Sequence, residues 1–437
     1  MHLPELTLTQ LANVGGDIFL PGSKSITNRA LLVASMARGN TRLNNLLLSD
    51  DTRFMLAALR HLGVGIQQDP DDETSVSVSG ADGPLVTVNR SHNQPELLQL
   101  GMAGTAYRPL TAALCLGTGE FVLDGNARMY ERPVADLVDG LRQLGAEIDY
   151  LQNEGFPPVR VRGTGLRGGS IRMRGDISSQ FLTSVLLAAP LASAPVEIAI
   201  EGELVSKPYL EITLALMKSF GAHAEHDNYE RFMVAPGGYT GVENYLVEGD
   251  ASNATYFLAA GALRGSGVTV HGIGSSSVQG DVAFADVLRA MGAGVEILDE
   301  QIRVTPAAQI KAIDMDLNHI PDAAMTAAVL AVFADGESHL RNLYNLRVKE
   351  TDRLHALATE LRKVGAIVVE ERDALHITPP VEIKSAAIDT YDDHRMAMCF
   401  SLLALAGMPV TIRDPGCVAK TFPNFFAEFA QVAAAAA

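Results

Sequence analysis

Nine cations stand out in an acidic chain of 437 residues and net charge −17: Lys24, Arg29, Arg108, Arg128, Arg132, Lys349, Arg353, Arg395 and Lys420. Most lie in or beside short polar loops that precede Ala/Leu-rich, nearly uncharged segments. If those segments are helices, their first turns add free N–H donors and partial positive charge, and the combination binds anions. Ordinary N-capping accounts for Ser, Thr, Asp or Asn before any one helix. It does not ask for the Lys of Gly22-Ser-Lys-Ser25, the Gln of Ser178-Ser-Gln180, or His394-Arg395 after Asp392-Asp393. Nor does it explain Val348-Lys-Glu-Thr-Asp-Arg353, where a helix would put Lys349 and Arg353 on one face with Glu350 beside Arg353. A salt-bridged, solvated face is the competing explanation for that stretch.

The loops recur with a period. Taking Lys24, Gly104, Ser178, Ala251, Asp322 and Asp393 as markers, the steps are 80, 74, 73, 71 and 71 residues, which indicates repeated structural units. A second echo, LRHLG, LRQLG, MKSFG, LRAMG and LRKVG, places glycines at 63, 145, 221, 292 and 365. Each precedes alternating apolar residues, the pattern of a helix C-cap leading into a strand. The first helix of each unit is apolar all round and is expected to be buried on every side.

The sixth unit is short, with 44 residues after its marker. The 23 residues before Lys24 nearly fill the gap, and Glu5 to Leu11 alternates like a strand, so the N-terminus is expected to complete the last unit. This predicts two α/β domains of three repeats each: residues 22–247, and residues 1–21 with 248–437. Crossings fall near Leu20 to Gly22 and near Val247 to Gly249.

With 47% hydrophobic residues the chain can bury a large core. Uncharged stretches such as Phe181 to Val196 fall short of a membrane span, and residues 1–20 lack the pattern of a targeting segment. A cytoplasmic location with no membrane partner is expected, and only Ala433 to Ala437 reads as disordered. The negative charge argues against a nucleic-acid partner. Cys115, Cys399 and Cys417 show neither metal-ligand nor disulfide spacing. Cys417, in a turn three residues before Lys420, is the candidate reactive thiol. No metal and no redox cofactor is implied.

Several segments together resemble the 5-enolpyruvylshikimate-3-phosphate synthases: Pro21-Gly-Ser-Lys-Ser-Ile-Thr-Asn-Arg29, Ala103-Gly-Thr-Ala106 with Arg108-Pro109, Glu131-Arg132-Pro133, Ser178-Ser-Gln180, Val205-Ser-Lys-Pro-Tyr209, Arg347 to Arg353, Asp393-His-Arg-Met-Ala-Met398 and Lys420-Thr-Phe-Pro423. The resemblance runs in order and spacing from about Leu6 to Phe425. It implies an inside-out α/β barrel in two domains, six βαβαββ repeats with helices inside and sheets outside, and an active site in the cleft between the domains. The implied reaction transfers the enolpyruvyl group of phosphoenolpyruvate to the 5-hydroxyl of shikimate 3-phosphate, releasing phosphate. A monomer acting on these two small molecules is expected.

By the same resemblance, phosphoenolpyruvate would meet Lys24, Gly104 through its backbone N–H, Arg132, Gln180 and Lys420 at its phosphate, and Arg353 and Arg395 at its carboxylate. Bidentate guanidinium forks suit a carboxylate. Shikimate 3-phosphate would be held by Lys24, Ser25, Arg29, Ser178, Ser179, Gln180, Ser206, Tyr209, Asp322, Asn345 and Lys349. Asp322 is the expected base for the hydroxyl, Glu350 exchanges the proton at the methylene carbon, Lys24 and Lys420 stabilise the leaving phosphate, and His394 assists.

Three positions depart from the family's usual pattern: Met102 for Asn, Tyr107 for a smaller aliphatic or Met, and Asp392 for Asn. Met102 and Tyr107 flank Gly104, so weaker binding of phosphoenolpyruvate and of the family's inhibitor glyphosate is expected. Two other readings compete. One is the related transferase acting on a UDP-linked amino sugar, which lacks the Ser-Ser-Gln and Lys-Pro-Tyr patterns and uses a mobile-loop Cys. The other is a non-catalytic scaffold of the same fold.

Overall fold

The computed structural model describes residues 3–9, 11–86 and 94–435. The chain forms two compact units, Gly22–Val247 and Met1–Pro21 with Glu248–Ala437. Among the described residues the α-helices alternate between buried and amphipathic. In the contiguous unit they are α1 (Lys24–Met36), α2 (Asp50–His61), α3 (Gly104–Leu114), α4 (Ala135–Gln143), α5 (Ser179–Ala188) and α6 (Pro208–Ser219). The other unit continues with α7 (Ala251–Leu263), α8 (Phe284–Ala290), α9 (Pro321–Leu330), α10 (Arg353–Lys363), α11 (His394–Phe400) and α12 (Phe425–Val432).

Helix α3 packs against both α1 and α5 inside the first unit, as α9 does against α7 and α11 in the second. Having no polar face to give to water, they bury nearly every side chain. Their hydroxyls remain satisfied because many turn back onto the helix: Ser35, Thr111, Ser184 and Ser401 each donate to the carbonyl four residues earlier, at 2.7–2.8 Å. Thr255 and Thr326 pair across α7 and α9 at 2.9 Å. The amphipathic helices end where the glycine echo predicts, with Gly63, Gly145, Gly221, Gly292 and Gly365 all at positive φ, the left-handed cap that glycine adopts without steric penalty.

The second repeat shows the sheet plan. Glu96–Gln99 is parallel to Gly119–Asp124, which pairs antiparallel with Val159–Gly163, itself antiparallel to Glu147–Tyr150. The third and fifth repeats follow the same order. In the first repeat the outer strand comes from the far end of the unit, Asn244–Leu246 lying parallel to Asn40–Asn44. The N-terminal residues are divided between two sheets rather than given wholly to the sixth repeat. Glu5–Leu8 pairs with Val410–Arg413 in the sixth sheet, whereas Leu11–Phe19 lies parallel to Gly267–His271 in the fourth. Ala433–Ala435, expected to be disordered, pairs antiparallel with that same strand; residues 436–437 lie outside the described residues. The Lys349 to Asp352 stretch is not helical, since α10 begins only at Arg353 after a 3₁₀ turn over Tyr344–Val348.

The hairpins of the first two repeats close tightly on the end of a buried helix. At Gly80, after strand Val76–Ser79, an added Cβ would lie 2.0 Å from the Ala37 carbonyl oxygen and 2.8 Å from that of Ala34. At Gly163, in the equivalent place of the second repeat, it would lie 2.7 Å from the Gly117 oxygen and 2.9 Å from that of Leu114. Backbone carbonyls at a helix terminus cannot retreat as a flexible side chain can. Gly80→Ala is therefore expected to destabilise the protein by roughly 2 kcal/mol or more, a size reserved for strain and overpacking. A thermal midpoint within a degree of wild type would contradict this close approach.

Candidate active site

In the contiguous unit, four segments bring their polar groups to the starts of buried helices. Lys24 opens α1, buried, with Nζ 3.6 Å from the Asp51 carboxylate at the start of α2. Arg29, one turn on, is buried; its Nε donates to Thr213 Oγ1 at 3.0 Å and Nη1 to the Ser25 carbonyl at 2.9 Å. Burial lowers the Arg29 guanidinium to about 10, against the opposing pull of Tyr209 and Tyr245, so it stays charged at neutral pH. Asn28 ties α1 to the mouth of α3 by donating to Thr105 Oγ1 at 2.8 Å. Ser178 caps α5 by accepting the Gln180 N–H at 3.3 Å, with Ser179 buried behind it. Ser206 is buried in the left-handed region at φ 56°, and its carbonyl accepts the Tyr209 N–H.

Two guanidiniums converge on Gly104. A Cβ there would lie 2.6 Å from Arg108 Nη1 and 2.9 Å from Arg132 Nη2, so the residue's lack of a side chain is what admits them. Arg108 donates to Gln180 Oε1 at 2.6 Å and stacks over Phe181, fixing the Gln180 amide. Arg132 Nη1 donates to the Met102 carbonyl at 3.0 Å. The Gly104 N–H, expected to face an anion, also donates to that carbonyl, at 2.9 Å. The reason is local: Ala103, at φ −75° and ψ 76°, forms an inverse γ-turn.

Tyr107, expected to border this spot, turns the other way. It is fully buried, donating from its hydroxyl to the Leu123 carbonyl and accepting the Val159 N–H. Burial pushes its phenol far above the usual value, and its role is to bind α3 to the sheet. Met102 reaches the cluster through its backbone oxygen. Asp392 is exposed at φ 55°, a conformation that Asn and Asp both tolerate, which explains their interchange here.

The discontinuous unit holds a tighter ionic cluster. Asp322, one residue after the Pro321 that starts α9, accepts Arg353 Nη1 on one oxygen and Arg395 Nη2 on the other, both at 2.9 Å. Arg353 is 1% exposed and meets three carboxylates: Asp322, Glu350 at 2.9 Å, and Asp393 at 2.7 Å. Burial disfavours its charge, but Asp393, Glu350 and Asp322 more than offset that and hold it firmly protonated. Asp393 also caps α11 through the Arg395 N–H at 2.9 Å. Arg395 Nη1 donates to the Tyr256 hydroxyl at 3.1 Å. Lys420 Nζ lies 3.5 Å from Glu350, so Glu350 sits between Lys420 and Arg353. Asn345 is buried and Lys349 half-buried at the end of the 3₁₀ turn, and His394 is buried with Nδ1 3.6 Å from Asp393. Burial alone would push the Asp322 carboxyl up; Arg395, Lys349 and Arg353 outweigh it and hold it below the ordinary carboxylate range.

Two members of these clusters were not singled out by the sequence, Asp51 and Asp281, and Arg108 was marked only as one of the conspicuous cations, without a role. Asp281, after Gln279-Gly280, is buried and accepts the Ser252 hydroxyl, while Gln279 Oε1 accepts the Ala251 N–H at the start of α7. The fourth repeat loop thus carries polar chemistry of its own. Cys417 is half-buried, and desolvation pushes its thiol well above the usual range, which disfavours the reactive thiolate. Cys115, also buried, is raised to about 12 by desolvation.

The same architecture is found in solved enolpyruvyl transferases. The EPSP synthase of Acinetobacter baumannii superimposes with a TM-score of 0.81 over 98% of each chain at 24% identity, and the enolpyruvyl transferase NikO of Streptomyces tendae with 0.78 over 99% of this chain and 98% of its own at 18%. The family model for EPSP synthase (3-phosphoshikimate 1-carboxyvinyltransferase) matches residues 8–429. A protein of that name from Shewanella denitrificans is 57% identical over 431 residues, 98% of this chain and 99% of the relative. Another, from Sulfurovum, is 58% identical over 422 residues, 96% of this chain and 97% of its own. This chain belongs to the EPSP synthase family.

Burial, and secondarily the charge of Asp322, pushes the Asp281 carboxyl up to about 7. The folded chain then retains a proton that the unfolded chain, titrating near the usual value of about 4, releases. Stability contributed at this site falls as pH rises from about 4 to 7. Asp281→Asn removes the ionisation, so its thermal midpoint should gain on wild type through that window, by roughly 2–4 °C for each kcal/mol relieved. A difference that stays constant from pH 4 to 7 would refute the buried titration.

Proposed function

We propose that this chain transfers the enolpyruvyl group of phosphoenolpyruvate to the 5-hydroxyl of shikimate 3-phosphate and releases phosphate, as a cytoplasmic monomer of the shikimate pathway. The observation that supports this most directly is that the family's motifs fall on two ionic clusters, each at the starts of buried helices. The UDP-linked amino-sugar reading is not favoured: the matching family and these relatives bear the shikimate name, and Cys115 is buried where it caps the end of α3. A non-catalytic scaffold is not favoured either, since the matching family and these relatives carry the enzyme's name.

In this reading Lys24, Arg132 and Gln180, the last steadied by Arg108, bind the phosphate of phosphoenolpyruvate with Lys420, while Arg353 and Arg395 take its carboxylate. The Gly104 N–H joins them once its turn to Met102 opens. Ser25, Arg29, Ser178, Ser179, Ser206, Tyr209, Asn345 and Lys349 hold shikimate 3-phosphate. The hydroxyl oxygen adds to C2 of phosphoenolpyruvate as Asp322 takes its proton and Glu350 delivers one to C3. Elimination returns the C3 proton to Glu350 and breaks the C2–O bond to phosphate, with Lys24 and Lys420 meeting the departing charge and His394 assisting. The same two guanidiniums suppress the basicity of Asp322 while they are paired to it. A substrate carboxylate that draws them away strengthens the base at the moment it is needed.

Phosphate release should require both substrates. Glu350→Gln should lower kcat by about 10²–10⁴-fold, the range for a positioned acid–base group, with a much smaller change in either KM. Wild-type turnover in Glu350→Gln would remove that residue from the proton path. Met102→Asn should lower KM for phosphoenolpyruvate and strengthen glyphosate inhibition; if neither constant moves, the side chain at 102 takes no part in binding.

A further inference from the structure

Outside these clusters, one group of metal-ligating side chains is assembled on the solvent face of the fifth repeat's sheet. Strand Ser338–Arg341 pairs antiparallel with Leu375–Thr378, and His339 stands directly opposite His376. Ser338, Leu340, Leu375 and Ile377 point into the core, so period-2 alternation turns both imidazoles outward. Glu337, two residues before His339, shares that face. Donor atoms of Glu337, His339 and His376 all lie within 4.8 Å of one another. The two Nδ1 atoms are 2.5 Å apart. His376 Nε2 lies 3.2 Å from the Glu371 carboxylate without making a hydrogen bond to it.

We propose that Glu337, His339 and His376 bind a divalent transition-metal cation, with Zn²⁺ the closest fit to the donors. Two imidazoles and a carboxylate with an open fourth position are a tetrahedral zinc set; Ca²⁺ and Mg²⁺ prefer all-oxygen sites. Glu371, 3.2 Å from His376 Nε2, lies where ligating histidines commonly engage an outer carboxylate. With metal–nitrogen bonds of about 2.0–2.1 Å the Nδ1 atoms must open to roughly 3.3 Å, a small rotation of half-buried rings. Binding needs a lone pair on both Nδ1 atoms, so the hydrogen they share moves to Nε2 of its own ring and both imidazoles stay neutral. The bound ion would bridge positions 37 residues apart, closing a loop that carries Asn345, Lys349, Glu350 and Arg353.

The test is Zn²⁺ titration of metal-stripped full-length protein against a chromophoric chelator at pH 7.5, with thermal midpoints in parallel. Wild type should take up one equivalent and gain several degrees; Ca²⁺ should give no gain. His339→Gln and His376→Gln should each weaken uptake at least tenfold and abolish the gain, while phosphate-release activity without metal stays at wild-type level and shows that they fold. Zn²⁺ uptake unchanged in both variants, no equivalent bound by wild type, or an equal gain from Ca²⁺ would overturn the proposal.

Discussion

Arg353 is the charge around which the discontinuous unit is organised. A guanidinium removed from water is tolerable only if its hydrogen bonds are met by anions, and here Asp322, Glu350 and Asp393 do so from three separate segments. Each carboxylate is in turn bound to something else: Asp322 to Arg395, Glu350 to Lys420, Asp393 to the first turn of α11. Loss of one partner from such a buried set leaves an uncompensated charge, a penalty of about 3–5 kcal/mol. The starts of α9, α10 and α11 are therefore held in mutual register by electrostatics as well as by the apolar packing beneath them.

The contiguous unit solves a different problem. Lys24, Arg29, Arg108 and Arg132 are buried or nearly so, with Asp51 the acidic partner found at Lys24. Much of their hydrogen bonding goes to neutral acceptors: Thr213, the Ser25 and Met102 carbonyls, and the Gln180 amide. One cluster is close to self-neutralised and the other is cation-rich.

How much of this could be read beforehand depended on whether the signal was local. The repeat, the buried helices and the glycine caps follow from spacing and composition, because a helix with no polar face has only one place to go. Lys24, Ser178, Asp322 and Arg395 were legible as loop residues at helix starts. Partner choice was not: that Arg108 would hold Gln180, or that Ser252 would meet Asp281, depends on contacts between segments 72 and 29 residues apart. Tyr107 misled for a related reason. On an apolar helix the sequence does not say which direction an aromatic points, and a hydrogen bond to the Leu123 carbonyl decided it. The His339–His376 pair was likewise invisible until strand register placed the rings face to face.

The division of the N-terminal residues between two sheets has a consequence for synthesis on the ribosome. Residues 22–247 are contiguous and bring all their own strands, so that unit can fold once its last strand, Asn244–Leu246, has emerged. Strands Glu5–Leu8 and Leu11–Phe19 leave the ribosome before any of it, yet their partners are Val410–Arg413, Gly267–His271 and Ala433–Ala435. These strands are made before the partners they need. Until then they must travel as unpaired strands, and their charged and glycine residues, Glu5, Gly15, Gly16 and Asp17, are the kind that discourage a lone strand from pairing with the wrong edge.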